Sequence, residues 1–160
     1  GKEKKSFGKL LYRYPGRLRF EVLKPNRTLF IINPKDTWYY TAPFIKGEKG
    51  GLTHRPTGKG LPTQFFDSLK RGLKSNSLYT VKWIDKNKVL LTFTQNSAKE
   101  LGIFKASLNF NKKSKPTFMQ LDSVDLIYLD GKLVTIRLYQ MSDKIKPKDH
   151  RFIFNEKSDR

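Results

Sequence analysis

Between Lys9 and Val22 the chain alternates apolar and polar residues with a period of two, breaks at Pro15-Gly16, and resumes the same alternation. Before the break Leu10, Tyr12 and Tyr14 alternate with Leu11 and Arg13; after it Leu18, Phe20 and Val22 alternate with Arg17, Arg19 and Glu21. Successive side chains of an extended strand point to opposite faces, so this spacing specifies two half-buried strands. A helix, with its period of about 3.6 residues, would scatter the same side chains around its circumference. Proline presets φ and glycine is free to take a positive φ, so Pro15-Gly16 supplies the turn between them.

The same grammar continues. Lys24-Pro25-Asn26 turns, Thr28 to Ile32 forms a third strand, Asn33-Pro34-Lys35-Asp36 turns again, and Thr37-Trp38-Tyr39-Tyr40 opens a fourth strand that ends before Pro43. From Gly47 to Gly60 the composition shifts to Gly, Lys, Thr and Pro, which predicts a mobile loop with only a short strand around Leu52. Leu61-Pro62-Thr63 then opens the one convincing helix, with Thr63 as its cap and Phe65, Phe66, Leu69 and Leu73 on one face. Lys70, Arg71 and Lys74 fall in its last turns, where the helix dipole favours cations. Strands are predicted again over Leu78 to Ile84, Val89 to Thr94, Ile103 to Phe110, Thr117 to Leu129, Lys132 to Gln140 and Arg151 to Phe154, with one helical turn over Ser97 to Leu101. Asp130-Gly131 predicts a type I′ hairpin turn. The fold expected is mainly β: a single curved antiparallel sheet or incomplete β-barrel of about ten or eleven strands with a covering lid helix, in one domain over residues 1–160.

Charge narrows the partners. Lys and Arg number 33 against 14 Asp and Glu, a formal net charge of +19, which favours anionic partners. Aromatic residues interleave with the cations at Tyr12-Arg13-Tyr14 and Arg17-Leu18-Arg19-Phe20, the pattern of a basic single-stranded nucleic-acid-binding β-barrel module. Yet 24 of the basic residues are Lys and nine are Arg, and Arg is the residue of bidentate phosphate and base contacts, so no specific nucleic-acid partner is expected.

Catalytic chemistry finds no constellation. Cysteine is absent, which removes disulfides, Cys-ligated zinc and thiol catalysis. His54 and His150 are the only imidazoles and neither has a partner at metal spacing; Asp122 and Asp125 read as surface groups. Gly58-Lys59-Gly60 lacks the spacing and hydroxyl residue of a phosphate loop. We expect no enzyme, metal or cofactor. No stretch reaches the roughly 20 apolar residues of a membrane span, and the charged opening Gly1 to Lys5 is not a signal peptide, so a mature or trimmed chain is expected.

The segment Gly8 to Phe44 has the order glycine, strand, proline, aromatic-basic strand, proline, apolar strand, turn, Trp38-Tyr39-Tyr40, proline. It resembles the LolA-like family of periplasmic lipoprotein carriers, in which G-x-L-x-x-x-x-P-x-x-[FL]-x-[FW]-x-x-x-x-P leads to D-G-x-x-x-W-x-Y-x-P. Thr63 to Leu73 resembles that family's lid helix, Thr117 to Gln140 its D-x-x-G strand pair, and Arg151-Phe152-Ile153-Phe154 its closing F-x-F strand. The departures are specific. Tyr14 stands where the family has the arginine that latches the lid, leaving Arg13 and Arg17 as latch candidates. Asn33-Pro34-Lys35-Asp36 replaces the usual Asp-Gly, and the family's N-terminal plug helix is expected to be missing, the chain being either trimmed or more open in its cavity.

The resemblance implies a monomeric periplasmic carrier that takes acyl chains of lipoproteins into a hydrophobic concavity and shuttles them from the inner to the outer membrane. Its partners would be acylated lipoproteins, an inner-membrane LolCDE-type ABC transporter and a LolB-type outer-membrane receptor. It further implies an acyl-chain cavity lined by Leu10, Tyr12, Leu18, Phe20, Val22, Phe30, Ile32, Trp38, Tyr40, Phe65, Phe66, Leu69, Trp83, Val89, Leu91 and Phe93.

Overall fold

The computed structural model describes residues 3–58, 61–111 and 118–160, so the Lys59-Gly60 part of the glycine-rich run and the expected strand start at Thr117 lie outside the described residues. Its mainly β architecture agrees with the sequence reading: the described residues form ten strands and two α-helices, the strands lying in two open five-stranded antiparallel sheets, neither closed into a barrel. The chain divides into two compact units, one running to Asp67 and resuming at Lys146, the other spanning Ser68–Ile145.

The first unit holds a meander of β1 (Phe7–Arg13), β2 (Arg17–Lys24), β3 (Thr28–Ile32), β4 (Asp36–Thr41) and β5 (Gly51–Pro56). Cross-strand pairing sorts its side chains into two faces. One carries Leu11, Arg19, Ile31, Trp38 and His54 in one row and Lys9, Glu21, Leu29, Tyr40 and Leu52 in the next. The other carries Tyr12, Leu18, Ile32 and Thr37, then Leu10, Phe20, Phe30 and Tyr39. The middle strand β3 is apolar on both faces, with Leu29, Ile31 and Ile32 buried and Phe30 half-buried.

The first of these faces is closed by the C-terminal segment. Phe152 is buried among Leu29, Ile31, Trp38 and Tyr40, with Phe154 beside them, and burying a phenylalanine contributes about 2–3 kcal/mol. The strand expected over Arg151 to Phe154 is corrected: Asp149–Phe152 is a short 3-10 turn. Its carbonyls are met by side chains of the sheet, Asn33 Nδ2 donating to Phe152 O at 2.8 Å and Arg19 to Arg151 O at 3.2 Å. A second correction concerns Gly47 to Gly60, where β5 forms six residues long although its composition reads as loop. Pairing with β4 from Asp36↔Pro56 to Thr41↔Gly51 overrides propensity, and Pro56 is tolerated at the end of an edge strand.

Helix α1 (Leu61–Arg71) leaves the first unit. It starts two residues before Thr63, which is therefore a buried first-turn residue and not the cap. Pro62 is compatible with that first turn because the amide it lacks would have no partner there.

In the second unit β6 (Tyr79–Asp85), β7 (Lys88–Phe93), β8 (Ile103–Phe110), β9 (Leu121–Tyr128) and β10 (Leu133–Arg137) form a sheet in the order β10-β9-β8-β7-β6. One face is apolar, with Val81, Leu91, Ala106, Leu126 and Val134 in one row and Trp83, Val89, Leu108, Val124 and Ile136 in the next. The other is polar, where Asp125 accepts from Asn109 at 3.2 Å and Thr135 at 2.7 Å. Helix α2 (Gln95–Leu101) is longer than the single turn expected; Gly102, at φ +71°, ends it by donating to Ala98 O at 2.8 Å. The Asp130-Gly131 turn also differs. Gln140 is the one described non-glycine residue with positive φ, so Asp130 cannot adopt the type I′ conformation. Leu129-Asp130-Gly131 instead makes a three-residue loop with Gly131 at φ +86°, closed by Gly131 N to Tyr128 O at 3.0 Å.

Candidate ligand-binding face

The face of the first sheet that the C-terminal segment leaves alone gathers seven of the sequence-predicted site residues: Leu10, Tyr12, Leu18, Phe20, Val22, Phe30 and Ile32. Alternation along β1, β2 and β3 puts them on one side, and the register aligns them across strands. The row nearest the β1–β2 turn is covered, with Leu18 and Ile32 buried and Tyr12 half-buried. One row on, Leu10 is 38% and Phe20 39% exposed. This row continues through Phe30 to Tyr39, and a hollow of about 420 Å³ opens beside them, lined also by Thr37, Thr53 and Arg55. Tyr39, which alternation puts on this face, was not among the predicted site residues.

Helix α1 is fastened at the covered end. Phe66 stacks on Tyr12 with ring centroids 5.4 Å apart, and Phe65 meets Phe66 edge-on at 5.7 Å. Asp67 accepts from the Tyr12 hydroxyl and, at 3.1 Å, from the Gly16 amide in the β1–β2 turn. The fastening expected of Arg13 or Arg17 is thus made by Asp67. Arg13 donates to Pro147 O at 3.0 Å, pairs with Asp149 and lies over the Phe152 ring; Arg17 donates to Pro15 O at 2.7 Å. Both arginines sit on or beside the opposite face because they pair with each other across the turn, one residue out of phase with Tyr12 and Leu18. Asp67 gave no signal in the sequence: a single carboxylate on an amphipathic helix reads as a solvated group.

Trp38 and Tyr40 are also corrected. They pair with Ile31 and Leu29 and belong to the buried core under Phe152, not to the face of Phe20. Trp38 stacks on His54 at 4.8 Å, and His54 meets Asp36 at 2.9 Å. Tyr40 packs on Phe154 and lies under the guanidinium groups of Arg27 and Arg160.

In the second unit Trp83, Val89, Leu91 and Phe93 share the apolar face, with Val89, Leu91 and Phe93 buried and Trp83 exposed and stacked on Phe110. Leu69 is half-buried on α1.

The charged groups of the first unit hold the C-terminal segment in place. Arg19 pairs with Asp159 at 2.7 Å in a nearly dry setting, and Arg27 bonds Glu21 and the Asp159 carbonyl. The hydrogen bond from Arg13, reinforced by its charge, lowers the Asp149 carboxyl below its ordinary value. Among the described residues no three His, Asp or Glu side chains converge on a metal-sized site, and no helix is long and apolar enough to cross a membrane. What the face of Leu10, Phe20 and Tyr39 offers a ligand is accessible apolar surface, edged by the Thr37, Thr53 and Arg55 side chains of the hollow.

The family model of the outer membrane lipoprotein carrier protein LolA matches residues 1–155. Among curated proteins none matches the chain.

Proposed function

The chain belongs to the LolA family of outer membrane lipoprotein carriers, and from that membership we propose that it holds lipoprotein acyl chains against the apolar face of the first sheet and shuttles them from the inner to the outer membrane. The observation that carries this reading is the row Leu10, Phe20, Phe30 and Tyr39, which leaves large apolar side chains accessible at the centre of a folded sheet. At about 0.8 kcal/mol per buried CH₂, a lipoprotein with two or three acyl chains does not cross water unaided. A carrier must cover those chains and release them, which a partly open surface allows and a closed core does not. The work is binding, not bond-making. Cargo would arrive from an inner-membrane LolCDE-type ABC transporter and leave to a LolB-type receptor, with the carrier acting as a monomer in the periplasm.

The test compares the two faces. At Phe20 a carboxylate can remain hydrated, so Phe20→Glu is expected to lower affinity for a diacyl lipopeptide by about tenfold, the equivalent of about 1.4 kcal/mol, with little change in melting temperature. At Ile31, which is fully buried on the opposite face, Ile31→Glu buries an unpaired charge and is expected to unfold the chain. Unchanged lipopeptide binding by a folded Phe20→Glu chain would reject this face as the acyl site.

A further inference from the structure

The end of the first sheet away from α1 brings together the start of β1, the β2–β3 turn and the β4–β5 loop: Phe7 pairs with Lys24, and Thr28, Thr41 and Gly51 lie in one row. Four large apolar side chains are exposed there, Phe44 at 79%, Phe7 at 63%, Ile45 at 62% and Leu23 at 40%. The loop that carries two of them has a defined shape. Ala42 N donates to Arg27 O at 2.9 Å and ties its base to the β2–β3 turn; Glu48 N donates to Ile45 O at 3.2 Å across Gly47, whose φ is +95°. Gly50 then lets the chain return over Tyr40, since a Cβ there would stand 2.7 Å from the Tyr40 ring and 2.4 Å from Thr41 O. The same segments carry the exposed Lys4, Lys5, Lys24, Lys46 and Lys49 against Glu3 and Glu48, and Glu156 lies within the field of Lys49.

Single exposed apolar residues are ordinary, but an apolar cluster rimmed by cations is the composition of a surface that meets an anionic interface. Lysine stems can lie along apolar neighbours while their ammonium groups reach outward, and aromatic and aliphatic tips partition into the headgroup region of a bilayer. The charge excess matches the negative potential of an anionic leaflet. We propose that this end of the sheet docks on an anionic lipid bilayer, with Phe44 and Ile45 entering the interface and the surrounding lysines meeting the headgroup phosphates. The docking is independent of the acyl-binding face and requires no cargo.

Flotation of the cargo-free chain with phosphatidylcholine vesicles, with and without phosphatidylglycerol, tests it. Partitioning is expected to be at least about tenfold stronger onto the anionic vesicles and to weaken with salt. Phe44→Ser/Ile45→Ser and Lys46→Glu/Lys49→Glu are each expected to reduce it by about tenfold. All four positions are exposed, so unchanged melting curves establish that the variants are folded. Equal binding to both vesicle types, or double variants that bind like the native chain, overturns the proposal. Retention on neither vesicle also overturns it and leaves the cluster to an acidic protein partner.

Discussion

Arg19 and Asp159 stand 140 positions apart in the chain and form the most buried ion pair among the described residues. Burial by itself raises the Asp159 carboxyl, but the Arg19 hydrogen bond, the Asn155 amide and the charges of Arg19 and Arg27 outweigh it, so the pKa lies below the ordinary 3.8. A carboxyl with a lower pKa folded than unfolded binds fewer protons in the folded state. Its contribution is therefore complete above the unfolded value and is lost as pH falls through the folded one. Asp159→Asn is expected to cost about 3 kcal/mol at neutral pH, or roughly 9 °C in melting temperature. The gap between native chain and variant should close as pH is taken below 3.8; a gap independent of pH would mean that the carboxylate's charge does not hold the segment. Neither partner was legible as a site residue, because nothing local marks a cation in β2 as the anchor of a segment that returns more than a hundred residues later.

Among the elements, strands with strict alternation were read correctly and segments decided by pairing were not. β1 and β2 announce themselves through period two and Pro15-Gly16. β5 does not, since Gly51 and Pro56 have little strand propensity and β4 supplies the order. The glycines give an element-level test. A Cβ at Gly102 meets nothing within 4 Å, so the cost of Gly102→Ala is the positive φ alone, about 1 kcal/mol. Gly50 has no such φ, but its Cβ would press on the Thr41 carbonyl and the Tyr40 ring, and overpacking of that kind costs about 1–3 kcal/mol. Thermal melting should therefore show Gly50→Ala as the more damaging change; the reverse order would mean that the loop yields freely and its shape is not fixed by the contact with Tyr40.

For the whole molecule the net charge of +19 and the apolar sheet face make separable claims. Acyl burial is not screened by ions, so affinity for an uncharged lipopeptide is expected to change by less than about twofold between ~50 and ~500 mM salt, whereas binding through phosphates falls steeply over that range. A steep loss of lipopeptide affinity would favour the charge-driven reading with its interleaved aromatic and basic residues. The amino-acid pattern by itself determined that the chain is β, where most strands start and turn, and which side chains share a face, because alternation and turn chemistry are local. It could not determine which face is closed, since β2, β3 and β4 carry large apolar residues on both sides. That choice was made by tertiary structure: Phe152 and Phe154 arrive from the far end of the chain, bury Trp38 and Tyr40, and leave Leu10, Phe20 and Tyr39 open. A strand's periodicity defines two sets of side chains, and only the segment that packs against one of them makes it core.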